Sequence, residues 1–208
     1  VVVNWNQMSH DGNFSKANLW WTNISYGSIS ASNNVMTWTC TVQPTQYYHT
    51  GFMRDTIQYC EIPWNHKVLV RAVVRCSIPT LFNLYALVGN GGNTHTYFYR
   101  ENIPANEWVE LIGFIRDRPE TPPSGVDNLT IRRFKACISG TNQQISTVTV
   151  GTTFDVKEFV AYDLTQMFGL GNEPQTVAEF ERICAINGID LTTYQPYDAG
   201  SDRWLIVP

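Results

Sequence analysis

Hydrophobic and polar residues alternate along most of this chain with a period of about two residues, which is typical of β-strands. In VMTWTCTV, residues 35–42, every second residue is apolar and the residues between them are mostly threonines. We predict that the apolar row faces a core and that the threonines face solvent. The inward row consists of Met36, Trp38, Cys40 and Val42.

The same alternation predicts further strands. HKVLVRAVVR, residues 66–75, places apolar residues on one face and Arg71 and Arg75 on the other. LFNLYALVGNGGNTHTYFYR, residues 81–100, predicts two strands around a turn at Gly89–Asn93. The proline-rich segment Arg116–Asn128 predicts a long surface loop. Three more strands are predicted in residues 107–117, 129–138 and 154–163. Such a series of strands predicts an all-β protein, an antiparallel β-sandwich.

Only near the C-terminal end does the apolar period change to about 3.6 residues. Thr176 and Glu179 form a capping box before an apolar stripe that Asn187 and Gly188 end, which predicts one short C-terminal α-helix. Asp163 is predicted to cap a preceding turn. The stripe consists of Val177, Phe180, Ile183 and Cys184. The turn carries three apolar residues that we predict to plug the open end of the sandwich, namely Leu164, Met167 and Phe168.

These patterns predict a β-sandwich over residues 1–163 and a helical appendage over residues 164–208, packed together as one domain. The 208 residues, 43% of them hydrophobic, are enough to bury a full core. A net charge of −4 with scattered basic residues excludes the basic stripe of a nucleic-acid-binding protein. No segment approaches the roughly 18 apolar residues of a membrane-spanning helix. Because the sequence does not begin with methionine, we expect a piece of a longer polypeptide.

Neither the cysteines nor the histidines form a recognisable catalytic or redox motif. The five cysteines include no C-x-x-C pair. We expect Cys40, Cys137 and Cys184 to be buried, with one disulfide as an alternative. The four histidines are far apart, and neither G-x-S-x-G nor H-E-x-x-H occurs. We therefore expect a protein that is not an enzyme and requires no cofactor.

A binding surface is predicted on the hairpin of residues 81–100. Three alternate residues with rings share one face of its second strand, and an amide and a phenol share one face of its first. If the register brings the two faces together, the resulting surface suits a sugar, which needs aromatic planes and fixed polar groups. The alternative is that the tyrosines pack beneath a loop. The candidate sugar-binding residues are Asn83, Tyr85, His95, Tyr97, Tyr99, Arg71 and Trp64.

Both ends of the chain resemble known families. NWNQMSHDGNFSKANLWW, residues 4–21, resembles the opening of the jelly-roll carbohydrate-binding modules, in which an N-G-x-F element precedes a Trp of the first strand. DLTQMFGLGNEPQTVAEF, residues 163–180, continuing through YQPYDAG, residues 194–200, resembles a segment of bacteriophage tail and virion appendage proteins and of surface proteins of gut bacteria. There the segment directly follows the last strand of such a jelly roll. The resemblance implies a jelly-roll sandwich.

The resemblance also raises the question of a structural calcium ion. Many relatives carry an acidic residue directly after the Phe of the opening motif, where it helps to hold calcium, whereas here Ser15 follows Phe14. Asp11, Asn13 and Asp163 still offer oxygen ligands of the kind that calcium prefers. The alternative is that Asp11 lies in a turn and that Asp163 caps a helix.

Together these features predict a non-catalytic carbohydrate-binding module on the exterior of a phage virion, where it recognises a host surface glycan. The expected partners are glycan and other virion proteins, in a multimer such as a homotrimer, with no nucleic acid and no membrane. One alternative is a purely structural virion module that contacts only protein. Another is the sugar-anchoring module of a larger glycosidase. A bacterial cell surface is the alternative location.

Overall fold

The computed structural model describes the backbone of residues 21–22, 26–33, 35–45, 51–55, 62–63, 65–88, 95–115, 130–138, 148–188, 197–198 and 203–204. Side chains are described for residues 26–30, 32–33, 35–45, 65–83, 99–115, 148–157 and 162–188. The predicted turn Gly89–Asn93 and the predicted loop Arg116–Asn128 lie outside these residues.

Strands dominate the described residues, and two short helices follow the longest of them. In chain order the strands are β1 (Trp21–Thr22), β2 (Gly27–Ser32), β3 (Val35–Cys40), β4 (Gly51–Asp55), β5 (Ile62–Pro63), β6 (Val68–Cys76), β7 (Thr80–Val88), β8 (His95–Ile103), β9 (Val109–Phe114), β10 (Thr130–Ile138), β11 (Thr153–Asp163), β12 (Tyr197–Asp198) and β13 (Arg203–Trp204). The helices are α1 (Leu164–Phe168) and α2 (Val177–Ile186).

Two antiparallel sheets form the sandwich. The six-stranded sheet has the order β1-β4-β10-β7-β8, with β5 also pairing with β10, and the five-stranded sheet has the order β2-β3-β11-β6-β9. A separate pair is formed by β12 and β13. The central strands of the two sheets are therefore β10 and β11, and their partners all come from earlier in the chain.

Alternating residues of both sheets fill the core between them. In β3 the side chains of Met36, Trp38 and Cys40 are buried, as predicted. Between the sheets, Phe82 of β7 contacts Phe154 of β11, with ring centroids 4.7 Å apart. The prediction is wrong for Val42, which is 54% exposed because β3 ends at Cys40. The alternation thus places the core correctly and misplaces only the residue beyond the strand.

The ends of both helices follow from their capping residues. The Asp163 carboxylate accepts a hydrogen bond from the backbone N–H of Gln166 (2.9 Å) at the start of α1. The Thr176 hydroxyl accepts one from the backbone N–H of Glu179 (3.1 Å) at the start of α2. Gly188, with φ of 69°, lies just beyond α2 in the left-handed region that glycine tolerates. These contacts confirm the predicted caps, and the predicted turn over residues 164–168 proves to be a helix too.

A second apolar cluster lies on the outer face of the five-stranded sheet. In β6, Val68 and Val70 face the core between the sheets, so Leu69 faces outward, where it packs with Tyr162 of β11. Both helices cover this part of the sheet. The cluster comprises Leu69, Tyr162, Leu164, Met167, Phe168, Phe180 and Cys184, with Ile112, Phe114, Val177 and Ile183 packed against it.

This cluster corrects the expected role of the residues that follow β11. Leu164, Met167 and Phe168 are buried, but they cover the outer face of a sheet instead of plugging the gap between the two sheets. The physical reason is that the outward positions of three neighbouring strands are apolar at this end, so the sheet itself offers a surface to bury.

Neither α1 nor α2, the helices within the described residues, combines the length and apolarity needed to cross a membrane.

Candidate functional site

The outer face of the five-stranded sheet has two halves of different chemistry. Along β6 its outward residues run from Leu69, beneath the helices, through Arg71 to Arg75 at the other end. Along β11 they run from Tyr162, also beneath the helices, to Asp155. Val73, between Arg71 and Arg75, is an apolar exception, so the half that the helices leave uncovered is mostly polar, while the covered half is apolar.

Three adjacent strands fix the polar groups of the uncovered half. The register pairs Asp155 of β11 with Thr37 of β3 on one side and with Arg75 of β6 on the other. One oxygen of the Asp155 carboxylate accepts a hydrogen bond from the Thr37 hydroxyl (2.6 Å). The other accepts from Nε (2.9 Å) and Nη2 (2.6 Å) of Arg75. The carboxylate is buried, whereas the Arg75 side chain is 40% exposed, so the guanidinium is oriented and remains accessible.

An indole ring lies beside these groups. Trp108, directly before β9 and partly exposed, contacts two cations: its ring centroid is 4.6 Å from Cζ of Arg75 and 4.8 Å from Nζ of Lys157. The register of β11 shifts between Val156 and Glu158, which makes Lys157 the irregular residue of a bulge. Such bulges redirect a side chain relative to its sheet neighbours. We call this group, consisting of Thr37, Arg75, Trp108, Asp155 and Lys157, the Trp108 surface.

Arg71 lies on the same face but not at the predicted hairpin. Its side chain is 3% exposed, and its Nε donates a hydrogen bond to Glu110 of β9. Because β6 belongs to the five-stranded sheet and the hairpin to the six-stranded sheet, Arg71 does not border the predicted sugar-binding surface. It stands between the Trp108 surface and the helix-covered half.

The hairpin register separates the two groups of predicted sugar-binding residues. In the β7–β8 ladder Asn83 pairs with Arg100, whereas Tyr99 pairs with Leu84. Directly paired residues of an antiparallel ladder lie on one face, so positions 83 and 85 fall on the opposite face from positions 95, 97 and 99. The expected joint surface therefore does not form. Residue types alone do not fix a register, which depends on the turn between the strands.

Two of the hairpin candidates have described side chains, Tyr99 and Asn83, and neither side chain is fully exposed. Tyr99 is half-buried and packs against the core, and its ring lies against Gly113 of β9, where a Cβ would overlap it. Burial, with a smaller effect of Glu101, raises the pKa of the Tyr99 phenol. Asn83 is fully buried, and its amide oxygen has no hydrogen-bond partner within the described part of the chain. The side chains of Tyr85, His95, Tyr97 and Trp64 lie outside the described residues.

Asp163 has two partners at the end of β11. Besides capping α1, its carboxylate accepts a hydrogen bond from Nδ1 of His66 (2.8 Å). Asp11 and Asn13, the other predicted calcium ligands, lie outside the described residues. Among the residues that the structure does describe, no three His, Cys, Asp or Glu side chains are grouped as a metal site. The calcium site stays a prediction.

The Glu173 carboxylate fixes the loop between α1 and α2 through hydrogen bonds. Its carboxylate accepts hydrogen bonds from the Thr165 hydroxyl (2.6 Å) and the Gly171 N–H (2.8 Å), and Thr165 in turn accepts one from the Lys67 N–H (2.9 Å). Partial burial raises the pKa of Glu173, but these hydrogen bonds and the Lys67 charge outweigh it and hold the pKa below its usual value. Glu173 thus ties the loop between α1 and α2 to the start of β6.

Sequence reasoning did not identify the Trp108 surface. The alternation places Arg75, Thr37 and Asp155 on the outward sides of their strands. The sequence gives no order of strands within a sheet, so it does not bring β3, β6 and β11 together. The bulge at Lys157 does leave a signal in the sequence, because one extra residue interrupts the alternation between Val156 and Phe159.

Solved structures with a similar fold include two carbohydrate-binding modules. The second N-terminal cellulose-binding domain of Cellulomonas fimi β-1,4-glucanase C superposes with a TM-score of 0.53 at 9% sequence identity, covering 76% of this chain and 95% of that domain. A CBM4 module superposes with a TM-score of 0.50 at 13% identity, covering 74% of this chain and 97% of that module. No protein-family model and no curated protein matches the sequence.

At these identities the likeness concerns the fold. It confirms the predicted all-β class: the chain is an antiparallel β-sandwich of the jelly-roll type seen in carbohydrate-binding modules, with a short helical segment near its C-terminal end.

Proposed function

We propose that this protein is a non-catalytic glycan-binding module and that the Trp108 surface is its binding site. The observation that carries the proposal is a partly exposed indole beside an oriented guanidinium on the uncovered half of a sheet. Sugars require this combination, because their C–H faces pack on aromatic planes while their hydroxyl groups need fixed donors and acceptors. The shared fold with carbohydrate-binding modules supports the same assignment.

Each group has a role in this proposal. The Trp108 ring packs against the apolar face of one sugar residue. Arg75, held by Asp155, donates to a sugar hydroxyl from the nitrogen that Asp155 does not use. A single site with so few contacts binds weakly, with a Kd near the millimolar range, or about 4 kcal/mol of binding free energy. Several copies on one assembly then raise the avidity by orders of magnitude.

The proposed location is the exterior of a phage particle, where a multimer, such as a trimer, recognises a host surface glycan. The support is the resemblance of residues 163–180 to a segment of virion appendage proteins. In this chain the segment forms α1, the loop held by Glu173 and the start of α2. A bacterial cell surface is the alternative location, and the parent assembly identified by mass spectrometry decides between them.

A structural virion module that contacts only protein is the second candidate. If a protein partner covers the helical segment, two exposed apolar side chains are the described residues that it would bury: Leu170 is 74% exposed and Ile186 is 70% exposed. A third candidate, the sugar-anchoring module of a glycosidase, predicts a catalytic domain elsewhere in the parent polypeptide.

A glycan array probed with a multivalent display of the intact protein tests the proposal. We expect binding to a defined set of glycans, loss of that binding in Trp108→Ala, and retention in Leu170→Ala, which removes an exposed apolar side chain from the helical segment. Tyr97→Ala tests the hairpin separately. Loss of binding in Tyr97→Ala but not in Trp108→Ala moves the site to the hairpin. An array that stays blank for the folded, multivalent protein rejects glycan binding and favours the structural module.

A further inference from the structure

We infer that the glycan held at the Trp108 surface is anionic, carrying carboxylate or sulfate groups that bind Lys157 and Arg75. This inference rests on the proposed function and adds the chemical class of the ligand. It starts from the two cations that lie over a single partly exposed ring, at 4.6 Å and 4.8 Å from its centroid. A neutral sugar needs one aromatic plane and hydrogen-bonding groups, but it does not need two positive charges at the same ring.

The two cations of this surface differ in their ion pairing. Asp155 neutralises Arg75 through two hydrogen bonds, and Glu110 bonds to Arg71 instead. Lys157 has no ion-pair partner among the described side chains. Lys157 is therefore the cation of the Trp108 surface that is left without an ion-pair partner among the described side chains, in a chain whose net charge is −4. Glu107, which precedes Trp108, is exposed and is not paired with either cation among the described side chains.

The geometry also suits an acidic sugar. Because Lys157 and Arg75 both lie over the Trp108 ring, an acidic sugar that contacts the exposed part of the indole meets both cations at once. Asp155 orients the guanidinium without covering it, since the Arg75 side chain remains 40% exposed. A charge that is oriented in advance loses little freedom on binding, which favours a specific contact over diffuse attraction.

Calorimetric titration of the intact protein with three hexasaccharides tests the inference: a galacturonate oligomer, a sulfated galactose oligomer and a neutral xylose oligomer. We expect the anionic oligomers to bind at least about tenfold more tightly than the neutral one at low salt, with the advantage shrinking as salt screens the charges. Preference for the carboxylate or for the sulfate identifies the acidic group. Equal binding of all three oligomers overturns the inference.

The matched variants are Lys157→Gln and Lys67→Gln. Both remove one lysine charge that contacts a ring on the same sheet, but Lys67 lies over Phe114 at the helix-covered half (4.4 Å to the centroid). We expect Lys157→Gln to reduce the preference for anionic oligomers to below about threefold, and Lys67→Gln and Lys157→Arg to keep it. Equal losses in both glutamine variants indicate attraction by net charge only and overturn the inference.

The variants also separate this inference from the proposed function. If Trp108→Ala abolishes binding while Lys157→Gln leaves selectivity unchanged, the glycan site stands and its anionic specificity is rejected. If the folded, multivalent wild-type protein leaves the broad glycan array blank, the proposed function itself fails, and the anionic specificity with it. If the array shows binding to neutral glycans only, the glycan site stands and the anionic specificity is rejected. Melting temperatures of every variant are measured first, so that loss of the fold is not mistaken for loss of the site.

Discussion

Truncation of Phe180 to alanine tests whether the helical segment and the sandwich unfold as one unit. Phe180 lies in the middle of α2 and is fully buried against the outer face of the five-stranded sheet. Its ring centroid is 5.1 Å from that of Tyr162 in β11. The substitution therefore removes the Phe180–Tyr162 contact between the helix and the sheet, while the core between the two sheets keeps all its residues.

The expected cost follows from burial and packing. A buried Phe→Ala substitution destabilises a protein by about 3–5 kcal/mol, through lost transfer free energy and the cavity that remains. The aromatic pair with Tyr162 contributes about 0.5–1.5 kcal/mol beyond its buried area, which favours the upper part of that range. Because the free energy of unfolding of a domain is about 5–15 kcal/mol, we expect the loss of a large fraction of it.

Urea unfolding measured by both circular dichroism and tryptophan fluorescence is the assay. We expect a single transition, with a lower midpoint and an unchanged slope in Phe180→Ala. Ile186→Ala is the control, since it truncates an apolar residue of the same helix that is exposed, and it should change stability by no more than about 0.5 kcal/mol. A loss below about 1 kcal/mol for Phe180→Ala, or two separate transitions in the wild type, refutes the view that the helices are part of one cooperative unit.

Three further predictions concern single positions. The pKa of Glu173 is lowered in the folded state, so its carboxylate stabilises the fold at pH values above the usual pKa of 4.5, and this stabilisation is lost as the pH falls below it. Glu173→Gln should therefore flatten the decline of the free energy of unfolding in that acid range, and an unchanged pH profile contradicts this. Burial raises the pKa of Cys76 to about 11 and that of Cys184 to about 12, so both thiols should resist iodoacetamide at pH 8 until urea unfolds the protein; labelling in the native state contradicts this. Gly113→Ala should lower stability by about 1–3 kcal/mol because its Cβ would overlap the Tyr99 ring, and a neutral result means that the ring moves aside.

The strands and the helix caps could be predicted because each depends on local sequence. Alternation in residues 35–40 and 66–75 gives the inward face of β3 and β6 directly, since a strand that covers a core must place apolar side chains at every second position. Thr176 and Glu179 define the start of α2 because the cap needs only residues three apart.

The candidate site could not be predicted to the same extent, because it depends on how distant segments pair. The two strands of the hairpin are predicted from the sequence, but their register decides that Asn83 and Tyr99 occupy opposite faces, and a shift of one residue would have reversed this. Similarly, the Trp108 surface combines Arg75 of β6, Asp155 of β11 and Trp108, which directly precedes β9. These segments lie side by side only because of the order of the strands in the sheet. The local alternation identifies the residues that face outward, but it does not show which outward residues of different strands contact each other.

The strand order has a consequence for how a ribosome produces this chain. Each sheet receives its central strand last: β10 and β11 enter between strands that were synthesised earlier. Until residues 153–163 have left the exit tunnel, β3 and β6 lack the strand that joins them, and their unpaired edges are open to other chains. A nascent chain halted before residue 153 therefore cannot complete the five-stranded sheet. We expect aggregation of truncated chains to stop only once β11 and the two helices that cover the outer face, through Ile186, are all included.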